Sequence, residues 1–284
     1  MSHWRGEIEQ LGDSVLVVGD AHTLKVHVHT DDPEAATGLF DGVGAVSHLD
    51  VADMHAQVAE RAERLSANGD GPAPTACCGV VAVASGDGMR ALFESLGAYV
   101  VDGGPTLNPS TYELLAGIHD VPAEQVVVLP NSSNVVMAAE KAAEVSEKTV
   151  VVVPTKSQQA GLTAAVALDP TSTAADVAAA MEEAIVELRI GAVAPAARDD
   201  VHGRFAIGDA VGFVEDEIVA WGAPAETLRT VLGSLSRDAE IVTVISGQGA
   251  PVPDDEVEGY AVDGVELDVH PGGQPAYWWL LSAE

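Results

Sequence analysis

The sequence predicts an α/β protein: a small α+β domain built on a hairpin, then a larger domain pairing a parallel βαβ sheet with a mixed second lobe. Three observations carry this. Between Gly79 and Ala167, short apolar runs alternate with helical patterns, the rhythm of right-handed βαβ units in a parallel sheet. Hydrophobic residues make up 47% of the 284 residues but aromatics only 4%, so Val, Ala and Leu must build the core, a composition that suits parallel strands buried on both faces. Finally, Ser66-Ala-Asn-Gly-Asp-Gly-Pro-Ala-Pro74 has the composition of a linker. The boundaries expected are a first domain at 1–65, a linker at 66–78 and a second domain at 79–284.

In the first domain, Ser14–Gly19 and Leu24–Thr30 read as two strands of a hairpin. The second run alternates, with Leu24, Val26 and Val28 on one face and Lys25, His27 and His29 on the other. Asp32 is placed to cap a helix with Pro33 in its first turn. A strand is expected near Val46–Val51, and a helix over Met54–Leu65 with Met54, Val58, Ala62 and Leu65 on one stripe.

In the second domain, Gly79–Ala84, Tyr99–Val101, Val126–Leu129 and Thr149–Val153 read as strands. Helices are expected from Gly86-Asp-Gly88 through Leu96, after Thr111, over Val135–Val145 and over Gln158–Ala167. The pattern then becomes mixed. A helix is expected over Asp176–Leu188, burying Val177, Met181, Ile185 and Leu188. Strands are expected around Val193–Arg198, Phe205–Ile207, Val211–Val214 and Ile218–Trp221. A helix over Pro224–Leu235 precedes strands at Glu240–Ser246, Val265–Val269 and Tyr277–Leu281.

Charge narrows the function. With 13 Lys+Arg against 44 Asp+Glu, the formal net charge is -31. Phosphate backbones and anionic bilayers need clustered cations, so neither nucleic acid nor a membrane surface is an expected partner. No run of about 20 apolar residues is present, so no membrane span is expected, and the first six residues are not a signal peptide. Cys77 and Cys78 are adjacent, which makes no disulfide framework; a reducing cytoplasm is the expected location.

Candidate sites fall in four places. His27 and His29 share one face of a strand about 7 Å apart, so they can converge on zinc. His22, Asp31 and Asp32 are the nearest candidates for further ligands; otherwise the pair is two exposed histidines. Gly86-Asp-Gly88 has the look of a phosphate-binding turn but lacks both nucleotide-binding glycine patterns, so a helix start needing glycine conformations competes with that reading. Three polar loops follow parallel strands, where open α/β sheets bind ligands: Thr106, Asn108 and Ser110 in the first, Asn131, Ser132 and Asn134 in the second, and Lys156 in the third. These can hold a carboxylate or phosphate, while Ser110 and Asn134 serve equally well as helix caps. His270, at a strand end before Pro-Gly-Gly-Gln274, can join the same cleft or be structural. No Ser-His-Asp or Cys-His arrangement can be assembled, and no carboxylate run suits a metal–nucleotide complex, so no catalytic residue is assigned.

The motifs Gly12-Asp-Ser-Val-Leu-Val-Val-Gly-Asp20, Lys25-Val-His-Val-His-Thr-Asp31, Gly104-Pro-Thr-Leu-Asn-Pro-Ser-Thr111, Leu129-Pro-Asn131, Val153-Pro-Thr-Lys156 and His270-Pro-Gly-Gly-Gln274 occur in this order. The set resembles the large subunit of bacterial two-component fatty acid kinases, also called dihydroxyacetone-kinase-like or DAK2-domain proteins. The resemblance implies part of the family's central domain, then its complete DegV-like carboxy-terminal domain. The family's amino-terminal kinase domain, which binds ATP and Mg, is not matched. The implied role is the non-catalytic docking or regulatory portion of an enzyme that phosphorylates fatty acids presented by a DegV-like protein. Alternatives are a fatty-acid carrier or a small-molecule kinase of the dihydroxyacetone type. The implied partners are that DegV-like protein, a kinase domain upstream or separate, and a second copy of the chain through the dimerising central domain. The resemblance also implies an incomplete zinc site at His27 and His29, whose cysteine ligand has no counterpart here, and a carboxylate clamp at Thr106, Ser132 and His270.

Overall fold

The computed structural model describes residues 7–8, 11, 13–19, 24–30, 32–40, 42 and 75–284, and the chain divides into two compact units, 1–60 and 61–284. The strand expected at Val46–Val51, the helix at Met54–Leu65 and the stretch Ser66–Pro74 lie outside the described residues.

In the first unit, β1 (Asp13–Gly19) pairs antiparallel with β2 (Leu24–His29), with Gly19 opposite Leu24 and Leu16 opposite His27. Helix α1 (Pro33–Gly38) follows. The Asp32 carboxylate accepts from Ala35 N at 2.9 Å, satisfying one of the amides that a helix start leaves open. Thr30 ties the strand exit down, donating to Leu11 O at 2.6 Å while accepting from Asp32 N.

The second unit opens with a four-stranded parallel sheet of β3 (Ala76–Ala84), β4 (Tyr99–Asp102), β5 (Ala123–Leu129) and β6 (Thr149–Val152), in the order β4-β3-β5-β6. Helices α2 (Asp87–Ser95), α3 (Thr111–Asp120) and α4 (Val136–Val145) make the crossovers. The strands are apolar at successive positions because both faces are covered. On β3, Val81 and Val83 join Leu114 and Ile118 of α3 and Ala139 of α4, while Val80, Ala82 and Ala84 join Met89 and Phe93 of α2 on the other side. Lys148 closes the far end of α3, donating to the carbonyls of Ile118, His119 and Val121, where a cation also meets the negative end of the helix dipole.

Two further helices, α5 (Gln158–Val166) and α6 (Ala174–Ala184), complete a layer beneath this sheet. The layer is shared. Ala164, Ala165, Val177 and Met181 lie in one core with Ile245 and Leu280 of a second, six-stranded sheet. That sheet comprises β7 (Arg189–Pro195), β8 (Ala210–Val214), β9 (Glu217–Gly222), β10 (Ile241–Ser246), β11 (Glu266–Pro271) and β12 (Trp279–Ala283) in the order β11-β10-β12-β7-β8-β9. Only β10 and β11 are parallel; the other neighbours are antiparallel. Helix α7 (Pro224–Leu235) covers its outer face with Leu228, Val231, Leu232 and Leu235, and α8 (Asp254–Glu258) is a short turn beside β11. The α/β architecture of parallel sheet plus mixed lobe is therefore the one expected.

Three local expectations are corrected. Helix α6 runs 174–184, not 176–188, because Thr173 caps it and the chain must be extended by Arg189 to pair with Ala283. The strand expected at Val193–Arg198 is β7, beginning at Arg189 for the same reason. Residues 205–207 are not a strand: Ile207 N and Ala206 N donate to the carboxylates of Asp199 and Asp209 instead of to a ladder.

The two sheets are joined where the start of α2 lies on the loop after β11. A Cβ on Gly88 would overlap the Pro271 carbonyl, and one on Gly86, at φ +105°, would meet Gly272 O and Gln274 N. Replacing Gly88 with Ala is expected to lower unfolding stability by about 1–3 kcal/mol through backbone displacement, read as a lower denaturant midpoint at unchanged slope. An unshifted midpoint would show that the joint yields freely.

Candidate functional site

In the sheet order β4-β3-β5-β6, the chain leaves β3 first to one side and then to the other. That reversal opens a crevice beyond the carboxyl ends of β3 and β5, where doubly wound sheets bind their ligands. Here the crevice is filled by the protein's own side chains. Asn131 follows β5, adopts φ +57° and is almost fully buried. Its Nδ2 donates to Val83 O at 2.8 Å, its Oδ1 accepts from Thr155 Oγ1 at 2.7 Å, and its backbone N donates to Thr155 Oγ1 at 3.1 Å. Beside it, Gln158 Oε1 accepts from Ser85 N at 2.8 Å. Gly161 of α5 packs directly on the Asn131 amide, leaving no room for a side chain there.

The adjoining anion site is closed as well. A helix start after a strand offers free amides to a phosphate. At α2, however, Met89 N donates to Gly272 O at 2.8 Å, and loop 271–274 occupies the space in front of Gly86 and Gly88. That loop is itself anchored: Gly272 N and Gly273 N donate to Ser246 O, and Gln274 Nε2 to Ile245 O. Gly86-Asp-Gly88 therefore starts a helix against another backbone.

The remaining predicted residues are dispersed around this plug. Thr106 and Asn108 are exposed on the loop after β4. Ser110 caps α3, accepting from Glu113 N while the Glu113 carboxylate accepts from Ser110 N, a reciprocal capping box. Ser132 is half-buried, and Asn134 and Lys156 are exposed. His270 sits on the edge strand β11, with Nε2 at 2.8 Å from the Asp268 carboxylate. Thr155, which closes the crevice on Asn131, stands in the third of the polar loops read from the sequence, Pro154-Thr-Lys156; Gln158 and Gln274, which close the crevice and its neighbouring loop, were not among the candidates. Their only sequence signal is position, just after a strand or a glycine pair.

His27 and His29 occupy β2, but their side chains, together with His22 and Asp31, lie outside the described residues. Among the described residues, no group of three His, Cys, Asp or Glu side chains converges. Cys78 is buried; desolvation, then the neighbouring Cys77, pushes its thiol up to about 11, so it is neither a ready ligand nor a nucleophile. It lines an apolar cavity of about 260 Å³ at the opposite, amino ends of β3 and β5, with Leu96, Val121, Pro122 and Leu168. Among the described residues, no helix is long and apolar enough to cross a membrane.

Comparison with known proteins identifies the family. Protein YloV of Bacillus subtilis (strain 168) is 32% identical over 292 residues, covering 99% of this chain and 53% of the relative. Uncharacterized protein SAB1090 of Staphylococcus aureus is 33% identical over 290 residues, again covering 99% and 53%. The chain thus spans about half the length of the curated relatives it matches. Among solved structures, the DegV family protein Cg2579 from Corynebacterium glutamicum superposes with a TM-score of 0.53 at 13% identity, over 74% of this chain and 98% of that one, a likeness of fold. Residues 79–284 match the FakA-like C-terminal domain of fatty acid kinases, and residues 1–61 match the FakA-like middle domain. The chain therefore belongs to the FakA-like fatty acid kinase family.

Proposed function

We propose that this chain is the non-catalytic, partner-docking portion of a fatty acid kinase, and that it engages a DegV-like protein carrying the fatty acid while a kinase domain handles ATP and magnesium. The observation that carries this reading is the plugged crevice. Asn131, Thr155 and Gln158 fill the place where this fold class holds a ligand, and the helix start that could take a phosphate is closed by Gly272. What remains around it, including Thr106, Asn108 and Lys156, is exposed surface, which suits contact with another protein better than enclosure of a small molecule.

The test is calorimetric titration of the chain against a cognate DegV-like protein loaded with oleate. Saturable binding in the micromolar range or tighter is expected; none at tens of micromolar would sink the docking reading. Native mass spectrometry of the chain alone addresses the rival carrier role, for which a stoichiometric acyl adduct would be the signature.

Asn131→Ala separates structure from recognition. It strips Val83 O and Thr155 Oγ1 of buried partners, so it is expected to cost about 1–3 kcal/mol of stability. Docking affinity at a temperature well below the melting point should be unchanged. A lost affinity with intact stability would make Asn131 a binding residue instead.

The zinc reading belongs to the same proposal. His27 and His29 supply two ligands from one strand, short of the three or four that a stable zinc site requires. After dialysis in chelator-free buffer, the chain is expected to carry far less than one zinc per molecule by elemental analysis. A full equivalent that disappears in the His27→Ala, His29→Ala double variant would contradict this.

A further inference from the structure

Five aspartates in the chain stand directly before glycine, at positions 41, 70, 87, 102 and 263. In such a pair no side chain shields the glycine amide, so its nitrogen can close on the aspartate side chain. Asp41 and Asp70 lie outside the described residues, as does Asn68-Gly69. The structure separates the other three. Asp87 opens α2, where Gly88 lies on the Pro271 carbonyl and the helix fixes the peptide between them. At the end of β4, the Gly103 amide donates to Ala84 O at 2.9 Å and the Asp102 carboxylate accepts from Gly104 N at 2.9 Å. Both reacting groups of that pair are engaged.

Asp263-Gly264 has neither restraint. It forms the centre of the turn 262–265 between α8 and β11, closed by one hydrogen bond from Val265 N to Val262 O at 3.0 Å. Both residues are exposed. The Asp263 carboxylate and the Gly264 amide have no partner among the described residues. Gly264 sits at φ +84°, with open space where a Cβ would stand. Ring closure needs the Asp263 side chain to swing over the following peptide. A turn tied once, at an exposed tip, permits that rotation; a helix start and a strand end do not.

We propose that Asp263 is a site of spontaneous isoaspartate formation, and the favoured one among the described Asp-Gly pairs. The Gly264 nitrogen attacks Cγ of the protonated Asp263 carboxyl. The N–Cγ bond forms, the bond from Cγ to the hydroxyl oxygen breaks, and that hydroxyl leaves as water with the proton from nitrogen. The resulting succinimide takes up water at its main-chain carbonyl, breaking that carbon's bond to nitrogen. Gly264 is then joined through Cγ, and the composition of the chain is restored. The change is redox-neutral and needs water alone. It inserts a methylene into the main chain just before β11, an edge strand whose neighbour in the sheet is β10. The product carries a free α-carboxylate, the group that isoaspartyl methyltransferases esterify from S-adenosylmethionine.

The experiment ages the full chain for weeks in warm neutral buffer. It then labels the chain with isoaspartyl methyltransferase and tritiated S-adenosylmethionine, and maps the peptides by electron-transfer fragmentation. The peptide holding Asp263 is expected to gain isoaspartate at least about tenfold faster than those holding Asp87 and Asp102. In denaturant the three pairs should convert at similar rates, which ties the difference to the fold. Asp263→Glu, which would have to close a six-membered ring, is expected to keep the melting temperature and lose the label from that peptide alone. Equal rates in the folded chain, or no isoaspartate at Asp263, overturns the proposal. So does an excess at Asp263 that persists in denaturant. Should Asp263→Glu not fold, the comparison of folded with denatured wild type decides alone.

Discussion

The second unit depends on a close approach of backbone to backbone. The turn of Gly86–Gly88 lies on the loop of Pro271–Gln274 with no space for a Cβ, and the Met89 amide finds its acceptor in Gly272. Neither partner is adjustable. Gly86 holds a positive φ that other residues rarely adopt, and the opposing loop is bonded to the end of β10. The contact fixes the parallel sheet against the mixed one, and the shared core of α2, α5 and α6 then fills the space between them. Helix α5 shows the consequence. Sequence Gln158–Val166 has little amphipathic pattern because the helix is enclosed, with Gln158, Gln159, Gly161, Ala164 and Ala165 all buried.

Magnitudes explain why the crevice beyond β3 and β5 functions as structure. Admitting a ligand there would break four bonds: three made by Asn131 with Thr155 and Val83, and that of Ser85 with Gln158. At about 1 kcal/mol net each, this removes roughly 4 kcal/mol, nearly three decades of affinity, from any occupant. The tight packing of Gly161 on Asn131 leaves no side-chain volume to recover by rearrangement. A polar network that is fully satisfied also rigidifies its surroundings. The result is a stiff platform whose loops present a fixed surface, which favours recognition by shape.

Much of this was legible in the sequence, and the rest was hidden for identifiable reasons. The parallel sheet could be read because its strands are buried on both faces and its turns carry Gly, Ser and Asn. The first hairpin was legible in the alternation of Leu24 to His29, and the Asp32 cap in its place before Pro33. The mixed lobe was harder. Phe205–Ile207 has strand composition, yet Asp199 and Asp209 take its amides, and side-chain competition of this kind leaves no trace in hydrophobic period. The site was legible in residue type but not in role. Asn131 looks like a ligand donor, and only the arrival of Thr155 and Gly161, 24 and 30 positions along the chain, makes it a bracket. Ser110 was readable as a cap, and the Glu113 three residues on completes the capping box.

The charge of the chain then constrains how any partner is chosen. A formal charge of -31 generates a repulsive field toward other acidic proteins, but salt confines it to roughly 8–10 Å under physiological conditions. Steering from a distance therefore contributes little to attraction, and selectivity must come from groups that touch. Close-range discrimination of that kind needs apolar area held in a defined shape with few carboxylates in the contact.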